Sequence, residues 1–181
     1  MIPPLARQIL TAGPYRLTPL ADGDARDLLT LFGDPAVAEF MDIDPLVNFA
    51  EAKDIVAWAR EMAAGNRGLR WAIRREGVSR LIGTVGFNTL ELDRGRRGEI
   101  AYDLAQDQWG QGVMSEILPY VMAFGYGTLG LHRLEAMVTV GNIRSCKLLE
   151  RHGFVLEGKL RDHAFWKGRF WDQLIYGRLA D

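Results

Sequence analysis

A glycine-containing turn ahead of an apolar helix, enclosed by two strands, is the feature that most limits how this chain can fold. The turn is Trp109-Gly110-Gln111-Gly112, and apolar residues follow it at helical spacing: Met114, Ile117, Leu118, Val121 and Met122. Residues 99–104 before the turn and 133–140 after it alternate as strands do. A strand–helix–strand passage must cross the face of a sheet, and it therefore predicts an α/β domain.

The two glycines leave the backbone N–H groups at the start of this helix without side chains in front of them. The first N–H groups of a helix have no partner inside it, and the helix dipole favours negative charge there. The turn and helix together can therefore hold a phosphate group. Because an isolated Gly-x-Gly usually marks only a loop turn, this hypothesis needs support from elsewhere in the sequence.

A second block, Asn142-Ile143-Arg144-Ser145, supplies that support. Asn142 suits the N-cap of a helix that runs from Ile143 to Arg151 and ends at His152-Gly153. Ser145 comes three residues after Asn142, so the two polar side chains share one side of the first turn.

The remaining elements follow from periodicity and from turn residues. We predict a strand at 15–19, a helix at 24–32, and a second helix that Asn48 caps and that runs from 49 to Gly65. A hairpin of 69–74 with 81–90 and closing strands at 154–160 and 170–179 complete the predicted elements. Gly125-Tyr126-Gly127 is expected to end the helix that follows Gly112. Residues 1–181 are expected to form a single domain.

Composition excludes several classes of protein. The formal net charge of −1 argues against a protein that coats nucleic acid or an anionic membrane, because both need a basic surplus. Cys146 is the only cysteine, which excludes an intrachain disulfide and fits a cytoplasmic location. The opening residues lack the features of a signal peptide, and no apolar run approaches bilayer length. The three histidines are scattered without ligand spacing, so no metal site is expected.

Cys146 could suggest a nucleophile with His152 as its base. Six residues at about 100° each place the two roughly 240° apart around a helix, and so they cannot form a dyad within it. We expect Cys146 to be a packed thiol.

Taken together, the turn and the Asn142 block resemble the acetyl-coenzyme A site of the GNAT acyltransferases. They are most similar to the RimJ/RimL-like branch, which acetylates the N-terminal amines of ribosomal proteins. The resemblance extends from Leu17-Thr18-Pro19-Leu20 to the closing strand at 171–176. It implies a mixed, strongly bent, V-shaped central sheet flanked by helices, in which the strands on either side of the glycine turn separate and the pantetheine arm fills the gap.

The same resemblance implies acetyl-CoA as the co-substrate and assigns residues to it. The pyrophosphate is expected on the turn and the helix start, at Trp109, Gly110, Gln111, Gly112, Val113 and Met114. The backbone from Tyr102 to Leu104 is expected to pair with pantetheine in the manner of strand addition, with Asn142 and Ser145 as further contacts.

Two positions depart from the superfamily pattern, in which an arginine or glutamine opens the motif and a small residue closes it. Trp109 stands at the first position, as is usual in the RimJ/RimL-like branch. Met114 stands at the last, so that either the pocket is slightly shifted or Met114 turns into the core.

The resemblance also implies direct attack of an amine on the thioester, with a backbone N–H of the strand stabilising the oxyanion. Glu99 is the candidate general base, and its pairing with the cluster Arg94-Arg96-Arg97 is an equally weighted alternative. In many GNAT enzymes a tyrosine at the position of Leu149 serves the departing thiolate. Here Ser145 is the candidate for that role, Tyr102 is a second, and close helix packing would equally explain Ser145.

The acidity of the acceptor's ammonium group narrows the choice of acceptor substrate but does not identify it. An α-amine, with a pKa of about 7.7–8.0, loses its proton far more readily than a lysine at about 10.4. We therefore expect the acceptor to be the N-terminus of a protein, with a polyamine, an antibiotic or an amino acid as the alternative. An acidic patch could line the acceptor cleft, or it could be ordinary solvated surface; it consists of Asp34, Glu39, Asp42 and Asp44. An aromatic turn could line the same cleft, or its side chains could belong to the core; it consists of Phe165, Trp166, Phe170 and Trp171.

Two other classes of protein, and assembly as a homodimer, are also compatible with the sequence. A non-catalytic acyl-CoA sensor would bind the cofactor without turnover. A dinucleotide-binding domain would need a third glycine where Met114 or Ser115 stands.

Overall fold

The eight strands in the described part of the chain form one sheet, in the order β1-β2-β3-β4-β5-β6-β8-β7. The computed structural model describes residues 4–180; the segment Met1 to Pro3, on which part of the signal-peptide argument rests, and Asp181 lie outside that range. Neighbouring strands are antiparallel, except that β5 and β6 are parallel. The strands are β1 (Leu10–Ala12), β2 (Tyr15–Pro19), β3 (Leu69–Arg75), β4 (Gly83–Glu91), β5 (Arg97–Leu104), β6 (Arg133–Thr139), β7 (Val155–Trp166) and β8 (Arg169–Leu179).

Five α-helices accompany this sheet in residues 4–180: α1 (Ala25–Gly33), α2 (Pro35–Ala38), α3 (Phe49–Ala64), α4 (Val113–Ala123) and α5 (Ile143–Arg151). Two predicted caps are confirmed. Asn48 Oδ1 accepts the Glu51 N–H at 3.1 Å, and Asn142 Oδ1 accepts the Ser145 N–H at 3.2 Å. Each cap satisfies an N–H that the helix itself leaves unpaired, and this fixes where α3 and α5 begin.

The parallel pair of β5 and β6 is very short. Arg97, Gly98 and Glu99 lie opposite residues 133–135, and the pairing ends there. Beyond that point β5 continues to Leu104 and β6 to Thr139, each bonded only to its neighbour on the other side. The sheet therefore opens between these two strands, which confirms the mixed, split sheet that the resemblance implies.

Helices cover both faces of the sheet. Helices α4 and α5 pack on one face, the α4 face, against Trp71, Val85, Phe87 and Ile100. Helices α1 and α3 pack on the other, the α3 face, around Ala72. Because side chains alternate along a strand, residues on either side of Ile100 point to the α3 face.

Coverage of both faces explains why Arg70, at a polar position of an alternating strand, is buried rather than solvated. Its guanidinium donates to Thr84 Oγ1 and Asn88 Oδ1 at 3.0 Å each, and it forms an ion pair with Asp103. A buried guanidinium needs partners for its N–H donors, and these side chains engage all three of its nitrogens.

Two predicted boundaries are wrong. The first closing strand does not stop near Leu160, because β7 continues to Trp166 and forms a long hairpin with β8. The helix after the glycine turn does not end at Gly125 either, since residues Phe124–Thr128 continue it as a π-helical turn. Gly125 is buried, and a Cβ there would lie 3.2–3.4 Å from Phe87, Leu134 and Leu131. This glycine permits close packing rather than stopping the helix.

Strand β1 was not predicted from the sequence, because three residues are too few to show a period.

Replacing Gly86 tests the packing of β3 on β4. A Cβ on Gly86 would lie 1.9 Å from the Leu69 carbonyl oxygen, so Gly86→Ala must force the two strands apart. We expect the free energy of unfolding, measured by urea denaturation, to fall by about 3 kcal/mol. Gly127→Ala is the matched control, because nothing lies within 4 Å of its added Cβ, and it should change stability by less than about 1 kcal/mol. Equal stability of the two variants would contradict this account.

Candidate active site

The glycine turn presents bare backbone at the start of α4. Gly110 and Gly112 have φ angles of 73° and 77°, in the left-handed region that side chains disfavour, and no atom lies within 4 Å of a Cβ built on either. Gly112 offers no side-chain cap, and the Glu116 N–H bonds to the Gly112 carbonyl at 3.0 Å. The N–H groups of Val113, Met114 and Ser115 therefore precede the first intrahelical bond and have no partner within the helix. This cradle fits a phosphate group.

Side chains beside the turn brace it. Trp109 Nε1 donates to the Leu104 carbonyl at 2.9 Å, and Gln111 Nε2 donates to the Asp107 carbonyl at 2.6 Å. The side chains of Val113 and Met114 are 2% and 5% exposed. Met114 turns into the core, which resolves the alternative that the sequence left open. What Val113 and Met114 can offer a ligand is therefore their main chain.

The free edge of β5 faces the gap in the sheet. The Arg96 carbonyl accepts the His132 N–H at 2.6 Å on the β6 side, whereas the Ala105 N–H donates to Ile82 on the β4 side at 2.9 Å. Since main-chain groups alternate along a strand, those of Tyr102 and Leu104 point towards the gap. The Leu104 carbonyl already accepts from Trp109, which leaves its N–H and both main-chain groups of Tyr102 for a strand-like ligand.

Two predicted catalytic residues meet across this gap. Tyr102 Oη on β5 lies 2.7 Å from Ser145 Oγ on α5, and either hydroxyl can donate. Burial raises the pKa of the Tyr102 hydroxyl well above its ordinary value, with the hydrogen bond to Ser145 opposing the shift. Tyr102 therefore keeps its proton at neutral pH. Leu149, at the position of the tyrosine in many GNAT enzymes, is fully buried in the core.

Glu99 lies on the α3 face, where β5 and β6 part. Its carboxylate is half-buried and makes only a long contact of 3.5 Å with Thr89 Oγ1. Burial, then the neighbouring Glu135 carboxylate, raises the pKa of Glu99. The alternative of an arginine partner finds no support in residues 4–180: Arg97 pairs with Glu91 at 3.0 Å, and none of the ion pairs found there includes Glu99.

The segment after α2 covers the same face. The Phe40 carbonyl accepts from Thr139 Oγ1 at 2.9 Å, and the Ala38 carbonyl accepts from Lys167 Nζ at 2.6 Å. Within the predicted acidic patch, Asp42 lies close enough to raise the pKa of Glu99. Asp34 instead caps α2 by accepting the Ala36 N–H at 2.9 Å.

The aromatic turn between β7 and β8 closes one end of this region. Trp166 and Trp171 stack with their ring centres 5.5 Å apart, and Lys167 between them reaches the segment after α2. Trp171 is half-buried, because the long hairpin holds its tip away from the core. Phe165 and Phe170 are largely exposed.

Other reactive residues do not form a second site. Cys146 is buried among core residues, whereas His152 Nε2 lies 3.1 Å from Ser115 Oγ on α4. Among residues 4–180, no group of three or more His, Cys, Asp or Glu side chains is arranged to hold a metal ion. Over the same residues, no helix is both long enough and apolar enough to cross a membrane.

Sequence reasoning missed two residues near the site. Glu135 lies opposite Glu99 in the β5–β6 pair, and Arg144 lies over the Trp109 ring with 4.5 Å between the guanidinium carbon and the ring centre. Neither position could be found from periodicity, because each depends on a contact between distant segments.

Comparison with known proteins agrees with this geometry. The model of the acetyltransferase (GNAT) domain family matches residues 15–155. The uncharacterized N-acetyltransferase p20 of Bacillus licheniformis is 35% identical over 156 residues, which cover 86% of this chain and 87% of p20. The ribosomal-protein-serine acetyltransferase of Escherichia coli is 32% identical over 101 residues, 56% of each chain.

Solved structures share the fold. RimJ of Mycobacterium smegmatis, in complex with CoA-disulfide, superposes with a TM-score of 0.87 at 21% identity, covering 99% of this chain and 90% of RimJ. The microcin C7 self-immunity acetyltransferase MccE, in complex with acetyl-CoA and AMP, gives 0.82 at 22% identity over 93% of each chain. This chain belongs to the GNAT acetyltransferase family, and it is an N-acetyltransferase that uses acetyl-CoA.

The Tyr102–Ser145 contact can be tested by a double-mutant cycle. Tyr102→Phe and Ser145→Ala each remove one end of the bond, so each should lower the free energy of unfolding by about 1 kcal/mol, and the double variant by little more than either alone. Urea denaturation measures all four proteins. Tyr102→Phe with Ser115→Ala is the control pair, because Ser115 bonds to His152, and its effects should add. Additive effects of Tyr102→Phe and Ser145→Ala would show that the contact does not form.

Proposed function

We propose that the protein transfers the acetyl group of acetyl-CoA directly to the N-terminal α-amine of a protein. The observation that carries this proposal is the placement of Glu99 and the Tyr102–Ser145 pair on opposite faces of β5, beside the gap in the sheet. Acyl transfer to an amine needs a base on the amine side of the carbonyl and a proton donor on the thiol side. One strand with alternating side chains provides both.

Acetyl-CoA supplies the activated acetyl group, and this chain's main chain can hold its diphosphate and its pantetheine arm. The open N–H groups of Val113, Met114 and Ser115 suit the diphosphate, and bare Gly110 and Gly112 allow it to approach. The edge of β5 at Tyr102 and Leu104 suits the pantetheine amides. Asn142 and Ser145 lie at the far side of the gap, on the first turn of α5.

On the thiol side, Ser145 and Tyr102 act together. As the carbon–sulfur bond breaks, Ser145 donates its proton to the thiolate while Tyr102 donates to Ser145, and water reprotonates Tyr102 once the products leave. Because burial raises its pKa, the Tyr102 hydroxyl carries its proton when the reaction begins. A main-chain N–H of β5 that faces the gap stabilises the oxyanion.

On the amine side, Glu99 accepts the proton that the attacking nitrogen loses, directly or through a water molecule. Its half-burial and raised pKa move the carboxylate towards the working range of a general base. Glu99 suits this role better than Asp103, which is buried and paired with Arg70.

Two observations support this class of acceptor: the negative charge around Glu99 and the similarity to a known acetyltransferase. Glu135 and Asp42 each act electrostatically on Glu99, and this negative charge attracts an ammonium group, although the ion pair of Glu135 with Arg133 offsets part of it. An α-amine then loses its proton with little help, whereas a lysine would need a stronger base. The similarity to the ribosomal-protein-serine acetyltransferase supports the same choice. A cytoplasmic location fits such an acceptor.

An acceptor panel tests the substrate class. Release of free thiol from acetyl-CoA is measured at pH 7.5 with a peptide that has a free α-amine, an N-terminally blocked peptide that contains lysine, and a polyamine. We expect kcat/KM for the free α-amine to exceed that for lysine by about 10²-fold, which is the ratio of their unprotonated fractions. Preference for the polyamine would overturn the proposed acceptor. Tight acetyl-CoA binding without thiol release would indicate a sensor.

The pH dependence of Glu99→Gln tests the base. With the wild type, kcat/KM should rise through the raised pKa of Glu99, at a pH above the ordinary glutamate value of about 4.3. Glu99→Gln should lose this acidic limb and about 10²-fold in kcat/KM. Glu135→Gln should move the limb to lower pH without abolishing it, because one of the groups that raise the pKa is gone. Glu91→Gln is the control, since Glu91 pairs with Arg97 at the surface. An unchanged profile in Glu99→Gln would remove Glu99 from the mechanism.

A further inference from the structure

The guanidinium of Arg144 is held beside the glycine turn by an aromatic ring. Arg144 lies in the first turn of α5, and its guanidinium carbon is 4.5 Å from the centre of the Trp109 indole. The indole is itself fixed, since its Nε1 donates to the Leu104 carbonyl at 2.9 Å. Trp109 directly precedes Gly110, so a positive charge lies beside the residue that opens the glycine turn.

Stacking on Trp109 holds this guanidinium in place but does not balance its charge. The side chain is exposed, and none of the ion pairs within residues 4–180 includes Arg144. Asn142 is the N-cap of α5, which puts Arg144 at the second helical position. The helix dipole makes a cation unfavourable there, because the first turn already carries partial positive charge. The position therefore costs helix stability and is explained by something outside the helix.

The arrangement suits an anion. A guanidinium stacked on an indole keeps its edge N–H donors free, and these donors match the spacing of phosphate oxygens. Stacking also fixes the side chain in advance, so less conformational entropy is lost when a ligand binds. The guanidinium thus lies beside the turn that leads into α4, whose start favours negative charge.

We propose that Arg144 binds the diphosphate of coenzyme A, with Trp109 as the platform that holds its guanidinium in place. This inference rests on the proposed function, because it takes coenzyme A as the ligand. Arg144 is a binding residue here and has no part in the proton transfers.

Calorimetric titration of Arg144→Gln with three ligands tests the proposal. With coenzyme A, Kd should rise about tenfold relative to the wild type, the lower end of what one hydrogen bond between charged groups contributes. Dephospho-coenzyme A lacks the 3′-phosphate but keeps the diphosphate, and it should show the same ratio. Pantetheine has no phosphate, and its Kd should be the same for both proteins.

Other results would overturn the proposal. A ratio that disappears with dephospho-coenzyme A would assign Arg144 to the 3′-phosphate, and a ratio that persists with pantetheine would make the effect structural. Lys147→Gln removes the same charge one turn along α5 and should leave Kd within about twofold. An equal loss in that control would indicate long-range electrostatics instead.

The Tm without ligand and the affinity of the wild type for coenzyme A distinguish the role of Arg144 from the proposed function. The Tm of Arg144→Gln without ligand should stay close to that of the wild type, because removal of a cation from the start of a helix offsets the loss of the contact with Trp109. A lower Tm accompanied by weaker binding of all three ligands would overturn the proposal. If the wild type does not bind coenzyme A, the proposed function fails. If wild type and Arg144→Gln bind it equally, only the role of Arg144 fails.

Discussion

The structure depends on how little of β5 pairs with β6. Three residue pairs hold the two parallel strands together, and the pairing ends at Glu99 and Glu135. Had the strands stayed paired, the main-chain groups of Tyr102 and Leu104 would be spent within the sheet. Because they part, β5 keeps one free edge inside the protein, and helices on both faces shelter the gap. A ligand with amide groups can complete this sheet where the protein does not.

The alternation of side chains along β5 divides the chemistry between two faces. Tyr102 points to the α4 face and meets Ser145, while Glu99 points to the α3 face and meets Glu135. The two faces differ electrostatically. Burial raises the pKa of both groups, and on the α3 face the neighbouring Glu135 carboxylate adds to the effect on Glu99. Separation of donor and base on opposite sides of one strand keeps them from neutralising each other. In the proposed function, the thioester carbonyl lies between them.

The first turn of α5 contributes to several parts of the site at once. Asn142 caps the helix, Ser145 bonds to Tyr102, and Arg144 reaches Trp109 beside the start of α4. The cap therefore does more than stabilise a helix, because it fixes the phase of the turn on which the other two side chains are placed. Each reaches a different segment, which ties α5 to β5 and to the glycine turn. This explains how a short polar block, far from the turn in sequence, becomes part of the same site.

The sequence by itself determined the local features. The caps at Asn48 and Asn142, the glycine turn before α4, the strand–helix–strand order and the resemblance to GNAT enzymes all depend on residues close together in the chain. Only the tertiary structure decided that Gly125 packs against Phe87, that β7 extends to Trp166, that Arg70 is buried, and that Glu99 lies opposite Glu135 while Arg144 lies over Trp109. The physical reason is that periodicity and capping act within a few residues. Register, burial on two covered faces and contacts between helices are settled by the packing of distant segments.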